Sequence, residues 1–536
     1  MTQNAPHRGH DVEISFLMRT KFGGFKRARL DPGLAKLAAA GVVMAATLAS
    51  FFVAWLVEDL ARLHSDIVVL AVALAFSLGR AQRDSDARAR AIGAVLLPVA
   101  AAAASEIGTL MATHAPLGDA LFSSGVAAAT FARRFGPVYA KAGTLATLPL
   151  IAVLVAPPAG DGLSHALWAA LIATAAMVCV TLSQLLARHL GVLVPPAPRP
   201  LRPAATTSAR PSAPSAPRRP RRGAVALSTR MAIQMAVGLG TAFALSHQLF
   251  PGHWSWTVLS SYIVASANRG RGDVVHKSGL RVVGASCGTI AATFLSGTFG
   301  PGDRSAVVAI FAVLALASWL RSFSYAYWAA CVTAALAFLY GYFGEQGTSL
   351  LLTRLEGIGC GAVIAIAASW FVLPIKTRDI VRRRAADALA VLTDYVGAAQ
   401  RGDPDQLSEQ RARFGAAVAQ LDQVAATHVP GWVSRGNDGR DRPANAVAAL
   451  RPCLVSVHAL TEQVGAQPPV LTVPLVRREL DALHGAVLAA RRAIAGGQLP
   501  VPALAAVSGA VARLVVTVGT YGVRATAASD TSSSGE

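Results

Sequence analysis

Apolar runs of about twenty residues, the length needed to cross a hydrocarbon core, recur along the first 373 residues between short polar connections. The pattern predicts spans at 34–57, 60–79, 91–111, 120–131, 142–156 and 163–187, and a second set at 231–250, 254–267, 282–299, 306–320, 325–342 and 355–373. Beyond Pro374 the pattern changes. Segments 385–400, 406–427, 445–464 and 476–494 show the apolar spacing of soluble amphipathic helices, broken by Pro, Gly and Asp. The segment 502–518 is apolar enough for a thirteenth span, but it is short and carries Arg513, so a bundle helix is expected there. The predicted class is an all-α polytopic membrane protein with two six-helix transmembrane repeats and a cytoplasmic helical C-terminal domain.

Composition agrees: 53% of the 536 residues are hydrophobic and 15% are charged, well below the roughly 25% of a soluble domain. The net charge of +20 does not require nucleic acid, because its distribution follows membrane orientation. With a cytoplasmic N-terminus, the inside segments up to residue 325 hold 28 Lys and Arg and the outside loops hold three, Arg62, Arg304 and Arg354. Both termini are then cytoplasmic, and the charged stretch 266–281 is a short inside turn whose Arg271-Gly272-Asp273 triplet faces away from any extracellular receptor. The first 31 residues are charged and mixed, and the apolar run behind them lacks a cleavage pattern, so no signal-peptide removal is expected. The domain reading is an N-terminal segment 1–33, a first repeat 34–190, a Pro/Arg-rich linker 191–228, a second repeat 229–374, a helical domain 375–528 and a disordered tail 529–536. The five cysteines have no metal-ligand or redox spacing and read as small core residues.

The two halves are similar to each other. At an offset of 189, His64, Ser77, Arg80 and Asp84 meet His253, Ser266, Arg269 and Asp273, and after a two-residue shift Arg90 and Gly93 meet Arg281 and Gly284. A third patch, RRFGPVY at 133–139, matches RSFSYAY at 321–327. Two halves that both enter from the cytoplasm form parallel repeats about an axis along the membrane normal, an arrangement that encloses a pathway. The second span of each half is short, and interrupted segments at matched positions are a sequence pointer to a transporter's binding site.

The motif Trp254-x-Trp256-Thr257, a charged turn, and then Arg281-x-x-Gly284-x-x-x-Gly288 resembles the fusaric acid resistance and aromatic acid exporter family of bacterial inner-membrane proteins, most clearly over 229–374. The resemblance implies export of aromatic or other weak organic acids from the inner membrane, often beside a periplasmic adaptor protein. It supplies no catalytic residues. The chain departs from the family in having a short Pro/Arg linker where a long folded middle domain would stand.

Ionisable groups inside spans are default functional candidates. Glu106 lies about fifteen residues into the third span and could carry a proton; Arg90 and Arg281 occupy matched cytoplasmic helix starts and could draw organic anions into a vestibule. His64 and His253 sit beside the two short spans, and with these three residues form the candidate transport path. The alternatives are packing and orientation for the arginines and interfacial placement for the histidines. No phosphate loop, metal-ligand cluster or nucleophile elbow stands in a plausible context, so no enzyme chemistry, cofactor or metal is expected. The partners expected are the lipid bilayer and a small organic-acid substrate, with room for an adaptor and a homo-oligomer. An anion channel, or a membrane scaffold acting through its helical domain, are the competing functions.

Overall fold

A computed structural model describes residues 32–83, 85, 87–156, 162–193, 226–266, 270–295, 300–344, 348–375, 377–425, 443–466, 468–496 and 500–533. The expectations for residues 1–31 and for 194–225 of the linker lie outside the described residues. The described residues are all-α, with 17 α-helices and no strand. The chain is an all-α polytopic membrane protein.

Helices stand at all twelve expected span positions: α1 Pro32–Ala61, α2 Asp66–Ala81, α3 Ala87–Thr113, α4 Ala115–Ala132, α5 Pro137–Val155, α6 Gly162–His189, α7 Leu227–Leu249, α8 Ser255–Ala265, α9 Arg271–Leu295, α10 Arg304–Leu320, α11 Tyr325–Tyr342 and α12 Thr348–Phe371. Six of these are long and apolar enough to cross a membrane. Five more follow: α13 Thr377–Arg401, α14 Pro404–Ala425, α15 Pro443–Ala466, α16 Pro474–Ala495 and α17 Val501–Ser533.

Two boundaries differ from expectation in ways that matter. Helix α9 starts at Arg271, eleven residues before the predicted span, so most of the supposed charged turn is helical. Asp273 sits in its first turn, where the helix dipole favours an anion, and pairs with Lys277 one turn on at 2.7 Å. Arg281 therefore lies about 15 Å along the helix rather than at its start. Helix α12 starts at Thr348 instead of 355, which puts Arg354 about 9 Å inside it. At the other end of the chain, α17 runs to Ser533 through residues expected as disordered tail, because extending an established helix adds a hydrogen bond for each residue fixed.

The chain divides into two compact units, one of Met1–Ile263 with Leu280–Ile364 and one of Val264–Gly279 with Ala365–Glu536. In the first, Ala46, Leu74, Leu97, Leu145, Ala173 and Val180 bring α1, α2, α3, α5 and α6 around one core. Small residues set the closest helix approaches, as membrane helices with little hydrophobic drive to associate require. On α9, Gly284 and Gly288 lie so near the Ala326 and Ala330 carbonyls of α11 that a methyl group at either would collide with backbone.

In the second unit, α13–α17 surround a continuous apolar core. Helix α16 shows how its sequence dictates this: Val476, Leu480, Leu483, Val487, Ala490 and Ile494 recur at alternating steps of four and three and are all buried. The composition of 501–521 would suit a membrane span. It instead buries Leu504, Val507, Val511, Leu514 and Val518 in this core, while Arg513 stays exposed with its Nε 3.7 Å from Glu479.

Tyr395 is fully buried in the same core, its hydroxyl 3.0 Å from Thr461 Oγ1, and burial pushes its phenol up to about 12. The folded value lies above the unfolded one of about 10, so the neutral phenol is the form that folding favours. Its contribution is constant below pH ~10 and is lost as pH rises towards 12. Thermal unfolding of Tyr395→Phe should show about 1 kcal/mol lower stability at neutral pH and a shallower loss above pH ~10 than the parent chain.

Candidate functional site

Helix α8 has eleven residues and a length of about 16 Å, too short for a hydrocarbon core of about 30 Å. One of its faces carries Trp256, Thr257, Ser260 and Ser261, all buried. It can hold these polar groups because α12 presents glycine to them. Gly357 lies against Trp256 and Thr257, and Gly361 against Thr257, Ser260 and Ser261. Ser260 Oγ accepts a 3.2 Å hydrogen bond from Arg281 Nε, while Thr257 Oγ1 and Ser261 Oγ have no partner among the described residues.

Arg281 and Arg354 are each 4% exposed. They lie within electrostatic reach of each other, and neither has an ion pair among the described residues. The Arg354 guanidinium stands 5.8 Å from the centre of the Trp256 ring and 5.6 Å from that of Tyr340, and its Nη1 has no hydrogen-bond partner among the described residues. Trp256 Nε1 donates to Tyr340 Oη at 3.1 Å, and His253 stacks on Trp256 with ring centres 4.5 Å apart and planes 3° from parallel.

Magnitudes say what this arrangement lacks. Burying a guanidinium without a counter-ion costs several kcal/mol. Contact with the two aromatic faces returns about 0.5–2 kcal/mol. The cluster is therefore short of negative charge. It holds guanidinium forks suited to a carboxylate, hydroxyls that can donate to it, and aromatic surface beside them.

Of the five residues singled out from sequence, Arg281 is part of this cluster and His253 backs its aromatic wall. Arg90 is half-buried on α3. Glu106 and His64 are exposed, and among the described residues neither makes a hydrogen bond, ion pair or ring contact with the cluster. Arg354 was missed by being counted with an outside loop. Also missed was Asp119 on α4, which meets His247 Nε2 of α7 at 2.9 Å beside Phe243 and Trp254. A comparable pair joins Asp66 to His165 at 3.1 Å.

The whole cluster, from His253 to Gly361, falls within one stretch of the chain. Residues 236–368 match the model of the fusaric acid resistance protein-like family. A search of curated proteins finds no match to the chain. The fusaric acid resistance protein-like segment contains α8–α11 and most of α7 and α12, and so every residue of the Arg281–Arg354 cluster. Together with the apolar helices, this match supports a role in membrane transport.

Proposed function

We propose that the chain exports small organic anions, aromatic or other weak carboxylic acids, across a bacterial inner membrane, and that Arg281 and Arg354 bind the carboxylate. The observation that carries this reading is the pair of buried arginines without a carboxylate partner among the described residues. A carboxylate between them satisfies the free Nη1 of Arg354 and can accept from Thr257 or Ser261, while Trp256 and Tyr340 offer surface to an aromatic ring. Arg281 lies deep in α9 beside α8, in keeping with the interrupted helices that form transporter sites.

A strain lacking the protein should become sensitive to weak aromatic acids and not to organic cations. The parent chain should restore resistance, and Arg281→Ala at equal membrane abundance should not. Arg281→Lys keeps the charge but loses the fork and the bond to Ser260, and should restore resistance only in part. Sensitivity confined to cations, or full rescue by Arg281→Ala, would refute the reading.

Export in this direction also requires the orientation read from the charge asymmetry, which keeps its sign when Arg281 and Arg354, both buried within helices, are left out of the count. Cysteines introduced at positions 205 and 303 of a cysteine-free chain should label from the cytoplasmic and periplasmic sides respectively. Periplasmic labelling at 205 would invert the pathway.

A further inference from the structure

We propose that the first unit holds a second anion site, at the helix ends formed by Lys36, Arg80, Arg321, Tyr325 and Trp328, and that it takes the phosphate of an anionic phospholipid headgroup. Arg80 is in the last turn of α2 and Arg321 caps α10; the two lie within electrostatic reach of each other. Arg321 lies over the Trp328 ring at 4.6 Å, and Lys36 over that of Phe323 at 4.8 Å. Beneath them, Trp328 packs on a core of Val43, Met44, Phe76, Ala317 and Cys331, which fixes α1, α2, α10 and α11 together.

The chemistry of this cluster is one-sided. Lys36, Arg80 and Arg321 have no ion pair among the described residues. Tyr325 Oη and Trp328 Nε1, on rings 5.3 Å apart, are buried and have no hydrogen-bond partner among them. Three cations and two unused donors suit an oxyanion that accepts several bonds at once. When it binds, a phosphate oxygen replaces the Trp328 ring face as the partner of Arg321. The location selects a lipid over a free ion: Arg80 is exposed, the residues stand at the ends of apolar helices, and amphipathic aromatic side chains favour headgroup depth. The site shares no residue with the Arg281–Arg354 cluster, so it stands or falls separately from the transport reading.

The test uses the purified full-length chain in detergent, with phosphatidylglycerol, phosphatidylcholine and inorganic phosphate added separately. Bound lipid is counted by native mass spectrometry and the melting temperature is followed. Phosphatidylglycerol should be retained and should raise the melting temperature, with phosphatidylcholine and phosphate giving much less. The double variant Arg80→Gln/Arg321→Gln should bind phosphatidylglycerol roughly 10- to 30-fold more weakly. Arg80→Lys/Arg321→Lys should keep most of the affinity, and Arg62→Gln/Arg304→Gln, which removes two arginines elsewhere, should keep all of it. Equal retention in the Gln double variant, an equal loss in the Arg62/Arg304 control, or equal protection by phosphate alone would each overturn the proposal.

Discussion

Arg354→Met should make the protein more stable and stop it transporting organic anions. The two effects have one origin. The guanidinium is 4% exposed and has no carboxylate partner among the described residues, so the folded chain bears a desolvation cost of several kcal/mol. Methionine has a comparable unbranched stem and no charge. The substitution forfeits the ring contacts with Trp256 and Tyr340, about 0.5–2 kcal/mol, but removes the larger penalty. The expected net is a gain of at least about 1 kcal/mol, visible as a higher melting temperature of the purified chain. Binding should move the other way. A hydrogen bond to a charged group contributes about 1.5–3 kcal/mol, so affinity for a carboxylate should fall roughly 10- to 150-fold. A structural role for Arg354 predicts the reverse of the first result. A fall in melting temperature with unchanged transport in proteoliposomes would remove Arg354 from the site.

The helices were legible in the sequence because a run of about twenty apolar residues rarely folds as anything but a membrane-spanning helix. Their ends were not. Hydropathy stops at the first charge, whereas a helical backbone continues wherever its polar side chains find partners, as Asp273 and Lys277 do. The start of α9 accordingly lies before Arg281, and that of α12 before Arg354, so one arginine stood at the edge of a presumed turn and the other in a presumed loop. A signal for Arg354 was nevertheless present. Gly357 and Gly361 follow it at i+3 and i+7, so the three share one helix face, and two glycines on a face mark it for close packing.

Glu106 could not be placed by the same means, since depth along a helix says nothing of the direction faced. The internal similarity was no guide to the site's chemistry either. At the offset of 189, Thr257, Ser260 and Ser261 fall on Val68, Ala71 and Val72, so the polar wall belongs to the second half alone. The carboxylate–imidazole pairs, Asp119 with His247 and Asp66 with His165, join residues about a hundred or more positions apart, a distance over which no local pattern operates.

The packing that allows this wall sets the other large effect. A methyl group on Gly361 would meet the Thr257 carbonyl oxygen, the Ser260 Cβ at 2.9 Å and the Ser261 nitrogen at 3.0 Å. Two of these are backbone atoms, which cannot rotate away, so Gly361→Ala must push α8 off α12. Over-packing of this kind costs about 1–3 kcal/mol. The displacement also moves Ser260, whose hydroxyl accepts from Arg281, so transport should fall by more than the loss of folded protein explains. Gly359 on the same helix provides the control, because a methyl group there meets nothing within 4 Å. Gly359→Ala should stay within about 0.5 kcal/mol of the parent and transport normally. Melting temperature and proteoliposome uptake of the two variants, compared at equal membrane abundance, decide the matter. If Gly361→Ala behaved as Gly359→Ala does, α8 and α12 would not be in close contact, and the wall they are inferred to form for the anion would have no basis.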